Sequence, residues 1–271
     1  MIQSKDNEKL KLVRKLRERK HREREGLFAT EGEDLLAAGL AAGAEPRFVL
    51  VAAGARSSFG PAAGARSTLG PLDGPKDDRA DTSGPKDDRG AGSFEFDEVE
   101  PGLLGSVSAL GSGTRAIAVW PRPGPAAPQA PCVYLDGVAD PGNVGAIVRT
   151  AHALLGATVA LGPDCADPFG PKATRASMGS VFARPPVAVA GVGATPEPRV
   201  ALVAHGGAGL EALAGAATLC LGAEREGLRP EVVAACAASA TIPLQAGAES
   251  LNVAAAAAVA CARMSEERAH A

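Results

Sequence analysis

The chain of 271 residues has no run of about 18 apolar residues free of charge, so nothing in it suggests a membrane-spanning helix. Its first residues are charged rather than signal-like, and a cytoplasmic location is expected. Cysteine is scarce: the five residues Cys132, Cys165, Cys220, Cys236 and Cys261 are odd in number, spread along the chain and without a C-x-x-C pair. That argues against a disulfide framework and a zinc site, so each is expected to be a small buried apolar residue and no metal is expected. There is no G-x-x-x-x-G-K-[ST], which removes P-loop chemistry. Net charge is only −3, so the overall balance gives no argument for a nucleic-acid partner.

Charge is nevertheless unevenly placed. Residues 1 to 25 carry ten basic side chains against five acidic ones. Leu10, Val13 and Leu16 recur at helical spacing, which predicts an amphipathic helix with a mainly basic polar face. Lys11, Arg14, Lys15, Arg19, Lys20 and Arg22 on that face are candidate phosphate-tracking residues. A solvated face laced with i,i+4 ion pairs would give the same pattern.

Three regions follow from composition. Residues 1–120 hold a helix near 31–42 and strands at 47–52 and 114–120, a small α/β domain. It is interrupted by ten-residue repeats from 52 to 91 (AAGARSSFGP, AAGARSTLGP, LDGPKDDRAD, TSGPKDDRGA). These are too short a period for stacked repeats and more than a quarter Gly plus Pro, so a disordered insertion is expected. Residues 121–131, with five prolines, read as a semi-rigid linker.

From 132 to 271, apolar runs at 132–136, 158–162, 186–190, 200–204, 218–222 and 240–244 alternate with helical patterns near 143–155, 172–180, 208–215, 230–237 and 250–264. Unbroken apolar strands between helices predict a parallel sheet covered on both faces, with ligands beyond the carboxyl ends of its strands. The fold class is therefore α/β, in two domains.

Polar residues gather in three loops at such strand ends. D-P-G-N-V-G-A-I-V-R contains Asn143, Gly145 and Arg149; on its helix the apolar stripe leaves Arg149 roughly 160° from the stripe's centre, facing away from the sheet. L-G-A-E-R-E-G-L places Glu224 between Gly222 and Gly227, where a plain turn accounts for the glycines but less readily for the carboxylate. I-P-L-Q-A-G-A-E-S-L-N-V leads into an alanine-rich helix, for which Ser250 or Asn252 is a candidate N-cap. A fourth stretch, Gly207-Ala208-Gly209-Leu210-Glu211-Ala212, matches the dinucleotide pattern G-x-G-x-x-A. It comes late in the domain and lacks a convincing ribose-binding acid, so an NAD-dependent oxidoreductase is disfavoured.

In order and spacing the three loops resemble the SpoU/TrmH family of the SPOUT superfamily, over nearly all of residues 132–264. The stretch RKHREREGLFATEGEDLLAAGLAAGAEPRFVLV resembles that family's ribosomal-protein-like RNA substrate-binding domain, until the repeats interrupt it. The resemblance implies S-adenosylmethionine-dependent 2′-O-ribose methylation of RNA, large-subunit rRNA in first place and tRNA as the alternative. It further implies a deep trefoil knot and a homodimer formed through the knotted domain. Leu221, Gly222, Ile242, Leu244, Leu251 and Asn252 would then bind the methyl donor. Arg149 would be the catalytic arginine, either accepting the hydroxyl proton or orienting hydroxyl and phosphate, with Asn143, Glu224, Ser250 and Asn252 positioning the substrate. A non-catalytic RNA-binding or ribosome-assembly protein on the same fold is the rival reading.

Overall fold

The computed structural model describes residues 1–55, 95–109 and 113–269. The repeats of residues 52–91 therefore lie, beyond Ala55, outside the described residues. Two sheets organise the chain. The amino-terminal one contains β1 (Leu27–Glu31), β2 (Phe48–Ala52), β3 (Glu95–Val99) and β4 (Ala116–Pro121), in the order β1-β4-β2-β3. β4 is antiparallel to both neighbours, whereas β2 and β3 run parallel. β1 and β3 are additions to the sequence-based expectation: each has only five residues, and β3, Glu-Phe-Asp-Glu-Val, carries three acids.

The basic segment is two helices rather than one, α1 (Glu8–Lys15) and α2 (Arg19–Glu25). Asn7 opens α1 by accepting a hydrogen bond from the Lys9 amide at 2.9 Å. Leu10, Val13 and Leu16 are buried as their spacing predicts, sharing a core with Phe48, Leu50 and Ile117. The break at residues 16–18 turns α2 and sends Arg22 inward, where it is 4% exposed. Arg22 therefore cannot be the RNA-contacting residue expected of it. Lys11, Arg19 and Lys20 pair with Glu8, Glu23 and Glu18 at 3.1, 2.7 and 2.8 Å. Arg14 donates to the Lys5 carbonyl at 2.8 Å, and Lys15 is exposed.

The carboxyl-terminal sheet is wholly parallel and follows the order β10-β8-β9-β5-β6-β7. Its strands are β5 (Cys132–Asp136), β6 (Thr158–Leu161), β7 (Val187–Ala188), β8 (Arg199–Leu202), β9 (Thr218–Gly222) and β10 (Ala238–Ala240). The helices are α5 (Pro141–Leu155), α6 (Pro171–Ser177), α7 (Ser180–Ala183), α8 (Pro230–Ala234) and α9 (Val253–Ala269), after α3 (Glu33–Ala41) and α4 (Pro101–Val107) in the amino-terminal part. The unbroken apolar runs of β5 and β9 sit at the sheet's centre, buried on both faces as a parallel sheet requires.

Several expected elements differ: the strand foreseen at 186–190 is only Val187–Ala188, and the helix foreseen near 230–237 only Pro230–Ala234. The strand foreseen at 240–244 lies instead at Ala238–Ala240, and Pro243, which has no N–H to give a ladder, falls in the part of the foreseen run that is not strand. The helix foreseen at 172–180 divides into α6 and α7 at Met178 and Gly179, both left-handed at φ 47° and 87°. The helix foreseen at 208–215 is only a 3-10 turn, Leu210–Leu213. Its glycine-rich approach is taken up by sheet-edge pairing: the Ala208 amide donates to Ser239 O and the Thr241 amide to Ala208 O, both at 2.8 Å. The dinucleotide-like pattern thus packs against β10 rather than opening a helix.

Four cysteines are buried and Cys236 is half-buried. Although sixteen residues apart, Cys220 and Cys236 bring their sulfurs to 3.7 Å. No described helix is long and apolar enough to cross a membrane.

Candidate active site

α5 begins where β5 ends. Asp140 caps it, accepting from the Asn143 amide at 2.9 Å, with Pro141 in the first turn. Lys172 holds the same carboxylate at 2.7 Å, and this ion pair, with the amide behind it, keeps the Asp140 carboxyl below the usual aspartate range. The cap fixes the first turn of α5, and with it the direction in which Asn143 points.

Gly145 follows on the buried side of that turn. A Cβ there would lie 2.2 Å from the Ala173 carbonyl oxygen and 2.7 Å from the Ala176 Cβ. Its lack of a side chain is thus used for packing α5 on α6. Arg149, one turn further on, is exposed and makes no hydrogen bond or ion pair among the described residues.

The second loop returns beside the first because β9 is the direct neighbour of β5, with Asp136 opposite Gly222. Gly222 is packed against the far end of its own loop, so that a Cβ would be 2.1 Å from the Gly227 carbonyl carbon. The loop is also anchored from β5. Asp136, 1% exposed, accepts from the Arg229 amide at 3.1 Å and from its Nε at 3.0 Å, and pairs with its Nη2 as well. That carboxylate raises the pKa of Arg229; burial, then the same carboxylate, pushes the Tyr134 hydroxyl up to about 12.

The third loop supplies Asn252, which closes a chain of hydrogen bonds. Its Oδ1 accepts from the amides of Ala254 and Ala255 at 2.9 and 3.4 Å, so Asn252 rather than Ser250 caps α9. Its Nδ2 donates to Asn143 Oδ1 at 3.2 Å, and Asn143 Nδ2 donates to Glu224 Oε1 at 2.6 Å. Both amide orientations follow from the ends of this chain: a backbone N–H can only donate, and an ionised carboxylate can only accept. Residues from all three loops meet here, 81 and 109 positions from Asn143.

A cleft of about 500 Å³ opens beside this chain. Leu221, Gly222, Ile242, Leu244 and Leu251 line it, as do Glu224 and Ser250. Asn252 does not line it but turns to Asn143 instead, and neither Asn143 nor Arg149 is in its wall. The sequence reading overlooked the end of β8, where Leu202, Val203, Ala204 and His205 form another wall, and it overlooked Glu249. Their signal was available, since a parallel sheet presents its ligand-facing residues at strand ends.

Comparison with known proteins gives this geometry a relative. Residues 130–262 match the SpoU rRNA Methylase family and residues 7–69 the MRM3-like substrate binding domain. An uncharacterized tRNA/rRNA methyltransferase of Mycobacterium tuberculosis H37Rv is 32% identical over 168 residues, covering 57% of this chain and 53% of that protein. The chain thus spans about half the length of the curated relatives it matches. The structure of the AdoMet-bound rRNA methyltransferase from Sinorhizobium meliloti superposes with a TM-score of 0.74 at 26% identity, over 99% of this chain and 97% of that one. An RNA 2′-O ribose methyltransferase superposes with a TM-score of 0.72 at 25% identity, over 98% of each chain. The carboxyl-terminal residues 130–262 of this chain thus match the SpoU rRNA Methylase family, and its amino-terminal part the MRM3-like substrate binding domain.

Proposed function

We propose that this protein methylates the 2′-oxygen of an RNA ribose, using S-adenosylmethionine, with large-subunit rRNA as substrate ahead of tRNA. The observation that carries this is the hydrogen-bonded chain Asn252–Asn143–Glu224 at the rim of a cleft with apolar walls. The cleft's volume lies within the range of about 300–1,000 Å³ common for small-molecule sites. Leu221, Ile242, Leu244 and Leu251 supply a flat apolar slot, and Gly222, packed on Gly227, keeps the loop backbone close to it. Glu224, Glu226 and Glu249, against the one arginine Arg225, line the same cleft, and this acidic balance favours a cationic ligand. These residues fit S-adenosylmethionine, which when bound supplies a methyl group on an already activated sulfonium.

The chain's own work is alignment and control of a proton on a weakly acidic hydroxyl. Arg149 carries five N–H donors and is free of partners among the described residues, so it is available to hold the ribose hydroxyl and the adjacent phosphate. Glu224, fixed by Asn143, offers an acceptor on the cleft wall. Because Arg149 lies outside the cleft wall, the site is completed in a homodimer, the arginine of one copy serving the cleft of the other. Leu154 on α5 and Val259 on α9, 40% and 39% exposed, are apolar surface for that contact. The 222–228 and 241–252 segments belong to a trefoil knot, the amino-terminal sheet with α1 and α2 is the RNA anchor, and the enzyme works in the cytoplasm.

The test is to incubate the protein with radiolabelled S-adenosylmethionine and total RNA from a strain lacking this gene, then map ribose methylation. Label on a ribose 2′-oxygen is expected; label on a base, or none, would overturn the assignment.

A further inference from the structure

One buried ion pair joins α2 to the loop between β6 and α6. The Arg22 guanidinium donates through Nη1 to the carbonyls of Leu16 and Arg17, at 2.8 and 2.7 Å, at the break between α1 and α2. Its Nε donates to Asp167 Oδ2 at 2.7 Å, and both side chains are only 5% exposed. Asp167 belongs to the loop between β6 and α6; its Oδ1 accepts from the Phe169 amide at 3.1 Å and faces Arg122 Nη2 at 3.6 Å. The Arg122 guanidinium lies over the Phe169 ring at 4.8 Å, and Phe169 packs on Phe28 of β1 at 5.0 Å. Phe169 and Val181 share one buried cluster with Phe28, Val49 and Trp120, so the β6–α6 loop and α7 pack into the core of the amino-terminal sheet. The proline-rich segment 121–131 is therefore not the sole connection between the amino- and carboxyl-terminal parts.

The connection continues to the active site. α6 starts at Pro171, four residues after Asp167, and Lys172 binds the Asp140 cap. Ala173 and Ala176 press against Gly145, on the helix that carries Asn143 and Arg149. A rigid path thus runs from α2 through Asp167, α6 and α5 to the reacting end of the molecule. For stability alone, an apolar pair of similar volume would serve as well, because burying two charges costs much of what their attraction returns. What a guanidinium forked onto a carboxylate and two carbonyls adds is direction.

Resting on the reading of this chain as an RNA ribose methyltransferase, we propose that Arg22 and Asp167 are positioning residues. They fix the amino-terminal RNA anchor at one angle to α5, and so determine which ribose reaches Arg149. The test uses the full chain with Asp167→Asn and, as the charge-conserving variant, Arg22→Lys. Hydrogen exchange without RNA should quicken in residues 19–31 and 165–170 of both variants. Calorimetry with S-adenosylhomocysteine should show unchanged affinity. On total RNA from a strain lacking this gene, the RNA concentration for half-maximal rate should rise about tenfold, with less change in maximal rate, and methylation should spread to neighbouring riboses. Arg22→Lys should show the smaller effect. Unchanged exchange and unchanged RNA dependence would overturn the proposal, as would loss of product affinity in both variants, which would mark the pair as merely structural. If the wild-type protein methylated no RNA, the assigned activity would fall, while the exchange measurement would still judge the joint.

Discussion

Gly145→Ala separates two explanations of the first loop's glycine. Such a glycine could let a ligand approach the backbone; the structure instead has it accommodating α6. An alanine Cβ would stand 2.2 Å from the Ala173 carbonyl oxygen, whereas ordinary contact begins at 3.4 Å, so the helices must separate by the difference or α5 must rotate. The opposing atom is backbone, which cannot swing aside as a side chain would. Overpacking of this kind costs about 1–3 kcal/mol. For a chain of this size that lowers Tm by roughly 2–12 °C, taking about 2–4 °C per kcal/mol. The cleft is lined by residues of β8, β9, the 222–228 loop, the 242–251 segment and α9, none of them on α5. S-adenosylhomocysteine should therefore bind the variant with nearly the wild-type affinity, while methyl transfer falls because Asn143 and Arg149 move with α5. Thermal melts, calorimetry and a methylation assay on one preparation decide the matter. A variant that melts at the wild-type temperature but no longer binds the product would refute the packing explanation.

Arg149→Ala should abolish methyl transfer and leave product binding and Tm unchanged; undiminished turnover would remove it from the mechanism. Asn143→Asp puts a second carboxylate where an amide now donates to Glu224 at 2.6 Å. Methyl transfer should fall by about tenfold or more, and the loss should shrink in high salt as the repulsion is screened; a salt-independent loss would contradict this. Asp140→Ala should cost about 1 kcal/mol at pH 7, the usual value of a helix cap. Since the folded-state pKa of Asp140 is lowered, its contribution is complete above the ordinary aspartate range and is lost as pH falls through the folded value. The gap in stability between wild type and variant should therefore close under acid conditions, and a gap that widened there would show the sign to be wrong.

Much of this molecule is legible from local pattern. Leu10, Val13 and Leu16 mark a buried helix face because a helix repeats every 3.6 residues, and the same arithmetic turns Arg149 outward. Strands β5 and β9 are visible because a strand buried on both faces is apolar throughout. The order of the three loops sufficed to suggest the family. Short acidic β3 gave no such signal, and the apolar run at 240–244, which contains Pro243, is strand only at Ala240. Local pattern also misassigned Arg22, since a basic residue on a basic helix reads as exposed unless the helix is known to break at residues 16–18.

Tertiary structure decided what meets what. Asn143 reaches Glu224 and Asn252 because the sheet places β9 beside β5 and the third loop returns α9 against α5. Arg22 finds Asp167 145 residues away. Periodicity reports which face of an element is buried, but the partner across the core depends on strand order and on how helices cross. Those are settled by the packing of the whole chain, which no local stretch of residues contains.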